Sequence, residues 1–192
     1  LEIPSRELVE MIDDGGDPAT VHSVASLFVP RVDSEADARL DAMGGHDHPK
    51  GRLAVANAKL AYARFQQIFS GPRWEALAAR GARTQRCLWA STSTKNGDYS
   101  DILYVAELIG PDTVNTMPEE TIRAFQDHGD PRPTLATGLD DAGQLFADLA
   151  AAGVDYDDVT AVLEREGVEK FEASFVQLIQ GIVARHEALL AA

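Results

Sequence analysis

Short apolar runs alternating with helical patterns constrain this chain more than any other feature. Residues 21–29, 85–90 and 114–117 read as strands, with 134–137 as a weaker fourth candidate, and helical spacing of apolar residues follows each of the first three. Parallel strands need a crossover long enough to hold a helix, so this alternation predicts an α/β fold built from βα units. The chain has 192 residues and is 45% apolar, enough to bury a core in one domain spanning residues 1–192. It is short for a whole eight-stranded α/β barrel, which typically takes about 250 residues.

The helical segments have readable ends. Residues 5–13 carry Leu8, Val9 and Ile12 on one face, with Ser5 as a cap and Gly15-Gly16-Asp17-Pro18 as a stop. Ser34-Glu35-Ala36-Asp37 reads as a capping-box variant opening a helix that ends near Gly44-Gly45. Further helices are expected over 52–69, over 72–81 with Trp74 and Leu77, and over 101–108. Thr116-Met117-Pro118-Glu119 has the cap, early proline and carboxylate of a helix start, and that helix runs to about His128. Three more patterns cover 140–152, 156–166 and 168–190. The last sets Phe171, Phe175, Leu178, Ile179, Ile182 and Leu189 on one broad face, which reads as core. No internal repeat interrupts this order, and residues 44–51 are the candidate mobile loop.

Charge narrows the partners. A formal net charge of −14 argues against nucleic acid or an anionic membrane surface, since either meets like-charge repulsion. The single cysteine, Cys87, excludes an internal disulfide, suits a reducing compartment and reads as a buried thiol. No stretch approaches the roughly 20 apolar residues of a membrane span, and the acidic start is unlike a signal peptide. A soluble, cytoplasmic protein is expected.

The residues that bear chemistry cluster at strand ends. The run Arg86-Cys87-Leu88-Trp89-Ala90 leads into Ser91-Thr92-Ser93-Thr94-Lys95-Asn96, where hydroxyls and one ammonium offer donors suited to phosphate. The same residues also fit an ordinary polar loop with Lys95 in solvent. A Schiff-base role for Lys95 is disfavoured, because a nucleophilic lysine needs burial or a cationic neighbour to lose its proton. Ser23, Ser26 and Arg31 suit either a phosphate or ion pairs at a rim. His46-Asp47-His48 lacks the third ligand that a catalytic metal requires and reads as a solvated loop, so no metal is expected. Glu107, Glu119 and Glu120 are acid–base candidates by residue type only. Their helical contexts favour surface roles, and His22, His128 and His186 have no legible partner.

Several of these segments, in order, resemble the transaldolases of actinobacterial type. They are residues 23–33; 51–62 with Ala54-Val55-Ala56-Asn57-Ala58; 85–95; Leu103-Tyr104-Val105; 114–118 within Thr113-Val114-Asn115-Thr116-Met117-Pro118-Glu119-Glu120; and 166–174. The resemblance runs from about His22 to Ser174. It implies part of a (β/α)8 TIM-type barrel, approximately the last three strands plus the C-terminal helices, so that the chain is the C-terminal portion of such a barrel. It also implies a transferase of the pentose phosphate pathway. That enzyme moves a dihydroxyacetone unit between sedoheptulose 7-phosphate and glyceraldehyde 3-phosphate through a Schiff base, without metal or organic cofactor.

The family's Schiff-base lysine lies in a Lys-Ile-Pro-Ala-Thr-like segment, whereas this chain has Glu2-Ile3-Pro4-Ser5. No catalytic residue is therefore assigned, and the chain alone is expected to be inactive. Ser91 matches the family serine at the phosphate motif. Ser93 stands where some relatives have arginine, and Lys95 replaces that charge. The resemblance thus implies sugar-phosphate binding at Ser91, Ser93 and Lys95, while Ser26 and Arg31 stay rim or ligand contacts on the reading of the residues alone. It leaves an incomplete barrel expected to associate with itself or with the missing barrel half, the alternative being a non-catalytic half-barrel scaffold or subunit.

Overall fold

The computed structural model describes residues 3–44 and 50–190. Three strands, β1 (Val24–Phe28), β2 (Arg86–Ala90) and β3 (Thr113–Asn115), form one parallel sheet in sequence order. Register runs Val24↔Arg86 to Phe28↔Ala90, then Cys87↔Thr113 to Trp89↔Asn115. Residues 134–137 are a turn and not a fourth strand; the Thr134 hydroxyl donates to Ala106 O (2.7 Å).

Because side chains alternate along a strand, the register sorts the sheet into two faces. Cys87 and Trp89 point to one face and are buried with Leu40, Leu53, Tyr62 and Phe65 of two packed helices, α2 (Val29–Ala42) and α3 (Leu53–Ile68). Val24, Ser26 and Phe28 lie on the other face and are exposed. α7 (Leu139–Ala151) packs against α3 and supplies Leu145 and Leu149 to the same core. A smaller cluster joins Leu8 and Ile12 of α1 (Ile3–Asp13) to Leu77 of α4 (Pro72–Ala78), with Trp74 packed on it. Since α1 begins at Ile3, Ser5 lies inside it and not at its cap.

Two helix starts differ from the pattern reading. α2 follows β1 with no connecting residue: Phe28 is its N-cap and Pro30 sits in its first turn, where a missing N–H costs nothing. Ser34 is therefore interior, and its hydroxyl donates back to Pro30 O (3.0 Å) instead of capping. α6 (Glu119–His128) starts after Pro118 without a side-chain cap.

The C-terminal patterns fuse. α8 (Tyr156–Leu190) is one helix of 35 residues, about 52 Å long, because Gly167 by itself costs too little to break it. Its first turns pack on α2, and Arg39 holds Asp158 at 2.8 Å. From Val168 onward every described residue is exposed, including Phe171 (69%) and Phe175 (64%). The apolar face is present as expected, but it is not core and covers no part of the sheet.

Candidate functional site

The connection after β2 begins with a bond pattern that extends the sheet. Thr116 N–H donates to Trp89 O (2.9 Å), and Thr92 N–H donates to Thr116 O (3.1 Å). Ser91 takes φ 57°, in the left-handed region that a non-glycine residue seldom adopts, and its N–H reaches Thr116 Oγ1 at 3.1 Å. The fully buried Thr92 donates its hydroxyl to Asn115 Oδ1 (2.6 Å). Thr116 thus fastens two strand tips together and caps no helix.

Beyond this seam, Ser93 is buried and Lys95 is exposed, with Lys95 Nζ donating to Ser93 Oγ at 2.6 Å. Ser91 stays exposed at the tip itself. The structure therefore couples Ser93 with Lys95 and sets Ser91 on the neighbouring seam. An ammonium has three donors, so those not given to Ser93 remain for an anion. Exposure leaves Lys95 without the burial that would activate it as a nucleophile.

Ser26 and Arg31 lie on successive elements, β1 and α2. Ser26 is exposed on β1 opposite Leu88. Arg31 is not at a strand end: it lies in the first turn of α2, and its guanidinium sits 5.0 Å from the centre of the Phe28 ring, a cation–π distance. Ser23 belongs elsewhere, accepting Gln85 Nε2 at 2.8 Å before β1 begins.

The other candidates are paired with neighbouring side chains or lie exposed at the surface. Glu107, in α5 (Leu103–Glu107), accepts from the buried Lys59 at 2.9 Å, and Glu119 pairs with Arg123 at 2.5 Å. Glu120 is exposed. His128 stands 3.0 Å from Asp101 and 3.3 Å from Asp127; those hydrogen bonds raise its pKa above the ordinary value. His22 and His186 are exposed. Glu2 and the His46-Asp47-His48 sequence lie outside the described residues, among which no cluster of metal-ligating side chains occurs. Cys87 is buried, and burial pushes its thiol up to about 11.

Sequence reasoning missed a pair of aspartates on α2. Asp33 is 2% exposed; it accepts Ala54 N–H (2.8 Å) and the Tyr104 hydroxyl (2.9 Å). Burial raises its carboxyl to about 6, outweighing the hydrogen bonds from the Ala54 and Leu53 backbone and the Tyr104 hydroxyl that lower it. One turn on, Asp37 accepts Gly51 N–H (3.0 Å) and the Tyr99 hydroxyl (2.8 Å). Both tyrosines are pushed up, first by burial and then by the facing carboxylates. An available signal was the helical spacing that sets Asp33 on the face of Val29, Val32, Ala36 and Leu40, where an acid needs partners if buried.

Comparison with known proteins gives a consistent result. Residues 6–182 match the family model described as Transaldolase/Fructose-6-phosphate aldolase. A transaldolase of Frankia alni is 54% identical over 179 residues, covering 92% of this chain and 48% of that protein. A transaldolase of Saccharopolyspora erythraea is 51% identical over 170 residues, covering 88% and 46%. One of Mycolicibacterium paratuberculosis is 55% identical over 170 residues, covering 86% and 46%. The chain spans about half the length of the curated relatives it matches.

Proposed function

Because the chain belongs to the transaldolase family, we propose that it supplies the sugar-phosphate-holding portion of a pentose phosphate pathway transaldolase. The three-stranded sheet is part of that family's (β/α)8 barrel, and residues 1–192 act as one domain forming its C-terminal portion. The whole enzyme would transfer a dihydroxyacetone unit from sedoheptulose 7-phosphate to glyceraldehyde 3-phosphate through a Schiff base. In this reading Ser91, Ser93 and Lys95 take the substrate phosphate, while Ser26 and Arg31 contribute from the adjoining strand and helix. The observation that carries it is the Lys95 Nζ–Ser93 Oγ contact at 2.6 Å beside the β2–β3 seam.

Calorimetric titration of inorganic phosphate and fructose 6-phosphate tests the site. Losing a charged hydrogen bond costs about 1.5–3 kcal/mol, so Lys95→Ala should weaken binding by roughly one to two decades. Ser91→Ala should weaken it less, with the fold unchanged in both variants. Unchanged affinity in both would leave only a scaffold. Borohydride with fructose 6-phosphate should leave the 192-residue chain unlabelled; an adduct on Lys95 would revive the nucleophile reading.

Association belongs to the same proposal. The exposed apolar face of α8 from Val168 to Leu190 fits a protein surface, first the remainder of the relatives' length and second another copy of this chain. A monodisperse monomer in sedimentation experiments would count against it. A cytoplasmic location goes with this metabolic role, and no described helix is long and apolar enough to cross a membrane.

A further inference from the structure

Asp33 and Asp37 stand one turn apart on α2, and their carboxylates join the same two segments. Asp33 takes Ala54 N–H from the first turn of α3 and the hydroxyl of Tyr104 in α5, while Asp37 takes Gly51 N–H just before α3 and the hydroxyl of Tyr99 on the approach to α5. The result is a ladder with two rungs. Gly51 has φ 66° and lies against the Tyr99 ring, where a Cβ would stand 2.6 Å from Cζ. The outer rung therefore has little room for rearrangement on its α3 side.

The loop after β2 closes onto this rung. Thr94 Oγ1 donates to Ser100 O (2.7 Å), and Tyr99 N–H donates to Asn96 O (3.2 Å). Asp98 N–H reaches Asn96 Oδ1 at 3.0 Å. Thr94 lies between Ser93 and Lys95, so a short path of contacts runs from Asp37 through Tyr99 and Ser100 to the Ser93–Lys95 pair. The loop's other end is fixed by the Thr116 seam. Between those anchors its residues are mostly exposed.

We propose that the Asp37–Tyr99 rung is a positioning device that holds the Ser93–Lys95 loop in its anion-binding shape. Its functional consequence rests on the sugar-phosphate reading, whereas its mechanical consequence does not. The Tyr99 hydroxyl orders the loop without touching substrate. The inner rung differs because Asp33 and Tyr104 are both buried in the core, so their removal perturbs the fold itself.

Tyr99→Phe removes the hydroxyl and keeps the ring against Gly51; Asp37→Asn alters the acceptor side of the same rung. Amide hydrogen exchange and phosphate titration, both on the 192-residue chain, provide two readouts. Exchange over residues 92–100 should quicken while α2 and α3 keep their protection, a local change that general destabilisation would not produce. Phosphate affinity should fall roughly two- to tenfold, the range of one net hydrogen bond, and the double variant should be no weaker than the worse single variant. Unchanged loop protection in both variants overturns the proposal, as does an additive double variant. Absence of phosphate binding by the unsubstituted chain overturns the sugar-phosphate reading instead and leaves the exchange measurement to decide this one.

Discussion

Replacing Asp33 by asparagine should change how stability depends on pH, in the direction opposite to that of an ordinary ion-paired aspartate. The carboxyl is 2% exposed and rises from the ordinary 3.8 to about 6 because burial disfavours its charge. Between those values the folded chain keeps a proton that the unfolded chain has released. The group's favourable contribution is therefore complete below about 4 and disappears as pH rises through about 6. The gap corresponds to about 3 kcal/mol. Asparagine has no such titration and still offers Oδ1 to Ala54 N–H, while the Tyr104 hydroxyl can turn to accept from its amide. Urea denaturation of both proteins at pH 4, 5, 6 and 7, followed by tryptophan fluorescence, should show the parent gaining up to about 3 kcal/mol on the variant as pH falls. A difference that is flat with pH, or that widens in the variant's favour on acidification, would refute the reasoning.

Three further outcomes follow from other contacts. Glu107→Gln leaves the buried Lys59 ammonium without its carboxylate and should destabilise by about 1–3 kcal/mol, whereas Lys59→Met removes the charge and should cost less; chemical denaturation compares them, and the reverse order would defeat the account. Cys87, held at about 11 by burial, has only about a thousandth of its thiol ionised at pH 8. An aromatic disulfide reagent should therefore label it in urea and barely in buffer, and fast labelling of the native chain would contradict its placement. Phe171→Glu with Phe175→Glu should reduce self-association and dye binding at α8 while changing unfolding stability by no more than about 0.5 kcal/mol, since neither ring is packed; a large loss of stability would show that the face is covered.

β1 and β2 were legible because short apolar runs between helical patterns have few other uses in a chain of this size, whereas residues 114–117 are too short to assign by pattern alone. The tip of β2 was legible as a hydroxyl-rich turn, which made Ser91, Ser93 and Lys95 candidates before any geometry was known. What failed was the ranking of competing local signals. The capping-box letters at Ser34 lost to Pro30, since a proline in the first turn lets α2 begin directly at the strand end. Thr116 had a capper's chemistry, but its hydroxyl oxygen accepts from Ser91 N–H at the end of the parallel neighbour. Phe171 and Phe175 have core spacing, yet periodicity gives a face and not its occupant. The aspartate–tyrosine ladder joins residues 62 and 71 positions apart, a separation at which no local pattern operates.

The direct passage of β1 into α2 makes this part of the chain a length-critical joint. An α-helix turns by about 100° per residue, so one amino acid inserted between Phe28 and Val29 would force α2 either to rotate or to loop out the extra residue. Rotation would carry Arg31 away from the Phe28 ring and swing Asp33 and Asp37 off both tyrosines together. Substitutions at this joint change one contact at a time. An insertion would misalign several at once, making residues 28–29 a place where the gene can vary in letters far more readily than in length.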